Sequence, residues 1–136
     1  MKQLRISLLI LSLLALSVAA VAVGQDRHIS AALNDVSGSG ISGRVQLTAM
    51  PKGGTLITVN VTGLQPGTEY LSLYYENNTC ELEPYSEDDV INRYTAGATG
   101  RVVFTKKVTD DLDEIHSVSV RLGSDFSLKA CADTSH

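Results

Sequence analysis

Beyond residue 27 the chain alternates apolar and polar residues over short stretches, and turn residues interrupt the alternation about every ten positions. Between 41 and 49, Ile41, Gly43, Val45, Leu47 and Ala49 fall on one side and Ser42, Arg44, Gln46 and Thr48 on the other. A period of two is the mark of a half-buried strand. Gly43 inside that strand marks a bulge or a close approach of another backbone. Pro51-Lys52-Gly53-Gly54 then closes a hairpin into a second alternating stretch, 55–61, where Ile57, Val59 and Val61 face inward. Ahead of both, 28–33 is a first strand, and Asn34-Asp35-Val36-Ser37-Gly38-Ser39-Gly40 supplies turn chemistry.

The pattern continues past the Pro66-Gly67 turn. A strand over 69–75 places Leu71, Leu73 and Tyr75 on one face and Tyr70, Ser72 and Tyr74 on the other. Residues 81–89 are irregular and acidic around Pro84, with too few apolar side chains for a core element. Further strands are predicted at 90–95, at 101–108 with Val102, Phe104 and Val108 in phase, at 116–122 with Val118, Val120 and Leu122 in phase, and at 126–131, where Phe126, Leu128 and Ala130 share a face. The acidic connection 109–114 has room for one helical turn. No stretch sustains a helical period, so the expected fold is all-β, an antiparallel Greek-key sandwich or flattened barrel of seven or eight strands.

The first residues change the picture of where this fold operates. Met1-Lys2-Gln3-Leu4-Arg5 is a short basic opening, and an apolar run extends from Ile6 to Val23. That composition predicts a secretory signal peptide over 1–24, cut after Ala22 or Gly24, and a single mature domain over 25–136. An uncleaved membrane anchor is the alternative, since the run is near the lower length for spanning a bilayer. Either way, membrane contact is expected only through this segment. The whole chain has 11 Lys+Arg against 15 Asp+Glu. Loss of Lys2 and Arg5 leaves a net charge of about −6, which opposes binding to phosphate backbones and argues against nucleic acid. Two cysteines, Cys80 and Cys131, lie in the exported part, where one disulfide is the economical reading and two free thiols the alternative. Such a bond would close a long loop and contribute on the order of 4 kcal/mol.

Candidate chemistry is sparse. His28, His116 and His136 have no ligand-set spacing. Glu81, Glu83, Glu87, Asp88 and Asp89 offer oxygens but lack the geometry of a dedicated calcium loop. There is no Gly-x-Ser-x-Gly elbow, and the acids cluster in irregular segments rather than at strand ends. No catalytic residue and no cofactor is assigned. Tyrosines beside carboxylates do suggest recognition, and the strip of Tyr70, Ser72 and Tyr74, with Tyr85 on the acidic loop and Tyr94 flanking it, is the expected binding surface, suited to an envelope protein or a glycan. Asn60-Val61-Thr62 and Asn77-Asn78-Thr79 match the N-glycosylation acceptor pattern, which matters only in a eukaryotic secretory pathway.

With the strands placed, several short motifs carry a likeness. Gly40-Ile41-Ser42-Gly43-Arg44-Val45, the turn Thr62-Gly63-Leu64-Gln65-Pro66-Gly67, the loop cysteine Cys80, Ser117-Val118-Ser119-Val120-Arg121 and the ending Lys129-Ala130-Cys131 together make the chain resemble the copper/zinc superoxide dismutases. The resemblance implies that family's β-sandwich and a disulfide between Cys80 and Cys131. It also implies a metal site whose ligands are missing, because Ser72 and Tyr74 stand where the family has His-x-His, Arg121 stands at the late copper ligand, and the zinc loop has no histidine. The substrate-guiding arginine aligns with Leu128. A hydroxyl and a guanidinium cannot replace imidazole in copper cycling, so the expectation is a non-enzymatic protein of this fold, with a metal-dependent dismutase or an enzyme with an unrecognised site as the alternative.

Overall fold

A computed structural model of the chain describes residues 27–136, and the expected signal segment lies outside the described residues. The eight strands are β1 (His28–Asp35), β2 (Ser42–Ala49), β3 (Thr55–Thr62), β4 (Glu69–Tyr75), β5 (Val90–Thr95), β6 (Val102–Val108), β7 (Ser117–Leu122) and β8 (Leu128–Asp133). All pair antiparallel in the order β5-β4-β7-β8-β1-β2-β3-β6, which curls into a nearly closed, flattened barrel. Short 3-10 turns occupy Glu87–Asp89 and Leu112–Glu114, the second in the acidic connection where one turn was expected.

The alternation read from β2 and β3 holds. Val45, Leu47, Ile57, Val59 and Val61 are all buried in the main core, where they meet Val118 and Val120 of β7 and Ala130 and Ala132 of β8. β8 departs from the expected phase. A register shift between Val120 and Arg121 of β7 sets Val120 opposite Ala130 but Arg121 opposite Leu128. Ala130 therefore faces the main core, while Leu128 and Phe126 turn to a second cluster with Leu71, Leu73, Tyr75, Cys80 and Val90.

β4 requires a larger correction. Tyr70, Ser72 and Tyr74, expected as an exposed strip, are 3%, 0% and 6% exposed and point into the barrel. The Tyr70 and Tyr94 rings stack with centroids 6.1 Å apart, and Tyr94 meets Phe104 at 5.0 Å. Their polar ends are bonded where they are buried: the Gln65 N–H donates to Tyr70 Oη (3.0 Å), and Ser72 Oγ shares a proton with Tyr94 Oη (3.0 Å). The opposite side of β4 is also covered, by the loop that follows it. Alternation separates two faces but cannot say which is inside when both are buried.

Two contacts tie the start of β1 and the C-terminal residue to the Leu112–Glu114 turn. The Arg27 guanidinium donates to both Asp113 carboxylate oxygens (2.5 and 3.1 Å), and His136 lies 3.1 Å from the same group. These partners hold the Asp113 carboxyl below the usual range, the Arg27 hydrogen bond first, but the pair is exposed and contributes little to stability.

Gly43 is the predicted close approach. A Cβ built there would lie 1.8 Å from the Asn60 carbonyl oxygen of β3, inside any permissible contact. Gly43→Ala is expected to destabilise by on the order of 3 kcal/mol, since one of two paired backbones must move. Gly97→Ala, where nothing lies within 4 Å of the new Cβ, is the control. Equal melting temperatures for the two variants would show that β2 and β3 do not approach in this way.

Candidate functional site

The site is built from the loop that leaves β4. Asn77 organises its first turn: Oδ1 accepts from the N–H groups of Thr79 (3.1 Å) and Glu81 (3.0 Å), and Nδ2 donates to the Glu81 carbonyl (2.8 Å). Glu83 returns to the strand end, accepting from the Glu76 N–H (2.9 Å) and from Asn77 Nδ2 (3.1 Å). Ser86 caps the Glu87–Asp89 turn reciprocally with Asp89. The loop is polar and nearly devoid of core residues, and its own side chains bond part of its backbone while Ser117, His116 and Arg121 of the sheet bond the carbonyls of Asn77, Glu76 and Cys80.

Several bonds fix it to the sheet, Ser117 Oγ among them, which donates to the Asn77 carbonyl (2.6 Å) and accepts from the Cys80 N–H (3.2 Å), and two links stand out. Cys80 and Cys131 form a disulfide, a cross-link spanning 51 positions, with Cys80 fully buried. It is compatible with an oxidising, exported environment. The second link is Arg121, which is 7% exposed. Its Nε donates to Tyr75 Oη (2.8 Å), Nη1 to the Phe126 carbonyl (2.6 Å) and Nη2 to the Cys80 carbonyl (2.6 Å). Tyr75 Oη also bonds Ser119 Oγ (2.7 Å). Cys80 and Phe126 both have left-handed backbones, φ 57° and 61°, a conformation that costs a non-glycine residue on the order of 1 kcal/mol or more. One guanidinium thus holds the carbonyls of both strained residues.

The metals that the resemblance implies do not fit these residues. Ser72 is engaged with Tyr94 inside the barrel, Tyr74 faces the same interior, and every Arg121 contact is a donation. Among the described residues, no three His, Cys, Asp or Glu side chains converge to hold an ion. His28, His116 and His136 are bonded separately, to Thr48, to the Glu76 carbonyl and to Asp113.

No family model and no curated protein matches this chain. The functional argument therefore rests on the geometry.

Beside the pinned loop lies a cleft of about 250 Å³ lined by Tyr74, Tyr75, Glu76, Glu83, Pro84, Tyr85, Asp89 and Asp110. Tyr85 is its exposed aromatic, 37% accessible, with its ring 6.4 Å from Phe126. Asp110 arrives from the connection after β6, which is anchored to the β2–β3 hairpin by Thr55 Oγ1 on the Asp110 carbonyl (2.8 Å) and by the Gly54 N–H on Asp111 Oδ1 (2.9 Å). Burial, followed by the charges of Asp110 and Asp89, pushes the Tyr74 phenol above the ordinary tyrosine range. Of the expected strip, Tyr70, Ser72 and Tyr74 all lie in the core, and Tyr74 alone of the three also reaches the wall of the cleft that Tyr85 lines. Asp110 and Glu76 were missed, because one is distant in sequence and the other is an ordinary strand-end acid. Arg121 was noted only as a lost ligand; its role as a clamp has no local signature.

Three outcomes follow. Cys131→Ser is expected to melt well below wild type, by about 4 kcal/mol in the chain-entropy estimate. Arg121→Met should raise hydrogen exchange in residues 76–89 by orphaning the buried Cys80 carbonyl, at roughly 1–3 kcal/mol, and the partly buried Phe126 carbonyl, while leaving β2 and β3 protected. Unchanged exchange in 76–89 would show that the clamp is dispensable. The raised phenols set an alkaline limit. Tyr94 is raised by burial, against an opposing Ser72 hydrogen bond, and with Tyr74 it must fold neutral. Their stabilisation is complete below the unfolded tyrosine value of about 10 and is lost as pH rises above it. Tyr74→Phe should therefore flatten the fall in melting temperature between about pH 9.5 and 11. A slope identical to wild type would count against it.

Proposed function

We propose that this is an exported, non-enzymatic binding protein, a metal-free relative of the copper/zinc superoxide dismutases by its fold, that captures a cationic or hydroxyl-rich envelope partner through the cleft beside Tyr85. The observation that carries the reading is the meeting of Tyr85 and Pro84 with the carboxylates of Glu76, Glu83, Asp89 and Asp110 in one concavity. Aromatic and proline surfaces supply apolar contact area with little entropy to lose, and carboxylates select for positive charge or hydroxyl donors. The disulfide and Arg121 support it further, because recognition loops work best when a rigid scaffold holds them. For the fold relationship, the support is the eight-stranded antiparallel barrel and a disulfide joining the loop after β4 to β8. Donor chemistry argues against the ancestral reaction, since Ser72, Tyr74 and Arg121 offer copper no imidazole.

The test uses the mature chain and defined probes. Titration with a hexalysine peptide and with cellohexaose, followed by amide shifts, should perturb residues around Tyr85 and Asp110 for at least one probe. Tyr85→Ala combined with Asp110→Asn should abolish the effect without loss of folding. In parallel, protein loaded with copper and zinc and then dialysed should retain neither stoichiometrically and should not dismute superoxide. Absence of any shift at the cleft with either probe would overturn the binding reading, and tight equimolar copper with dismutation would overturn the metal-free one.

A further inference from the structure

The outer face of β1, β2, β3 and β6 is a regular lattice of side chains. The strand register aligns Ala32, Arg44, Asn60 and Val103 in one row, Ser30, Gln46, Thr58 and Thr105 in the next, and His28, Thr48, Leu56 and Lys107 in the third. None of these positions is Asp or Glu, although the chain has 15 of them. At the centre is a groove of about 120 Å³ between Arg44, Gln46, Thr58, Asn60 and Val103. Arg44 is steadied by donation from Nη1 to Ser30 Oγ (2.9 Å), and Thr58 Oγ1 shares a proton with Thr105 Oγ1 (3.0 Å). Val103 is 58% exposed, an apolar side chain in the open on a face that is polar apart from it, Ala32 and the half-buried Leu56.

We infer that this groove binds one uronate unit of an acidic polysaccharide lying across the strands. A guanidinium fork matches a single carboxylate. Carboxamide and hydroxyl groups both donate and accept, which suits sugar hydroxyls, and the Val103 methyls offer contact to the C–H face of a ring. The groove is smaller than the several hundred Å³ that enclose a whole small molecule, so it fits one repeat of a longer chain. One arginine at its centre suits one charge per repeat rather than the dense charge of a polyphosphate. At the groove itself the ladders of β2 and β3 are paired on both sides, and the free edge is that of β6 beyond Val103, so the groove offers side chains rather than backbone to a ligand, which argues for a glycan over an extended acidic protein segment. The negative net charge of the chain does not forbid this, because charges beyond about 8–10 Å are largely screened at physiological ionic strength. The groove shares no residue with the cleft beside Tyr85, so either assignment stands without the other.

The experiment is calorimetric and amide-shift titration of the mature chain, made in a bacterial periplasm so that no glycan occupies the Asn60-Val61-Thr62 acceptor, with tetragalacturonate, maltotetraose and hexaglutamate. Tetragalacturonate should shift amides of β2, β3 and β6, and Arg44→Gln should weaken it roughly tenfold, the scale of one charge-assisted contact, at unchanged melting temperature. Asn60→Leu should also weaken it, while Asp110→Asn in the cleft should not. Equal binding of maltotetraose would overturn the role given to the carboxylate, and equal binding of hexaglutamate would reduce the face to a general anion patch. No binding up to about 10 mM, or an Arg44→Gln variant that binds like wild type, would overturn the site altogether.

Discussion

A buried guanidinium that donates to three neutral oxygens holds the outer layer of this protein in place. Among the described residues Arg121 has no carboxylate hydrogen-bond partner; it donates to Tyr75 Oη and to the carbonyls of Cys80 and Phe126. A charge taken out of water is tolerable only when its donors are met, and those carbonyls would themselves be costly without a donor. The contact is therefore mutual. It also acts where the backbone is least content, since Cys80 and Phe126 occupy left-handed conformations that only surrounding structure can maintain. The disulfide limits how far the loop can stray, and the arginine sets how it lies.

Everything outside the barrel on this side depends on that arrangement. Leu71, Leu73, Tyr75 and Val90 are buried although they point away from the barrel interior, because the loop after β4 and the turn before β8 cover them. If the loop were free, those side chains would form an exposed apolar patch of the kind that invites association. Covering them places Tyr85 and the loop carboxylates at a fixed rim, so a packing requirement and a recognition surface come from the same few bonds. Arg93 is paired with Glu87 and Arg27 with Asp113, whereas Arg44 and Lys107 stand on the lattice face, where no carboxylate is aligned with them.

Much of the fold was legible because strand alternation and turn residues are local signals. The bounds of β4 and β5, those of β2 and β3 to within one residue, the hairpin at Pro51-Lys52-Gly53-Gly54, the close approach at Gly43 and the Cys80–Cys131 pair are all in the structure as the sequence suggested. What was not legible required knowledge of what covers what. The orientation of β4 depends on a loop whose apolar content is almost nil, so nothing in 69–75 could reveal that Tyr70 and Tyr74 face the core. The phase of β8 slips at a register shift opposite Val120 and Arg121, a feature with no sequence mark. The cleft joins residues 76–89 to Asp110 through tertiary contacts, and proximity of that kind does not show in a period of two.

The barrel's closure raises a separate physical question, because β5 and β6 end the strand order and form no ladder with one another. Unpaired strand edges are templates for association unless something blocks them. Here side chains take over the work of missing backbone bonds. Tyr94 of β5 packs on Phe104 of β6, which fills the seam from within, and Lys106 Nζ donates to the Val90 carbonyl at 2.6 Å. An ammonium placed where a neighbouring strand's N–H would lie satisfies the oxygen and puts a hydrated charge in the way of any incoming strand. Lysine suits this position better than an apolar residue of the same length, since its stem can lie along the seam while its head meets the carbonyl. The Lys106-Lys107 pair that looks in sequence like a simple charged doublet is thus divided by the strand's alternation, with Lys106 closing the seam and Lys107 facing out on the lattice.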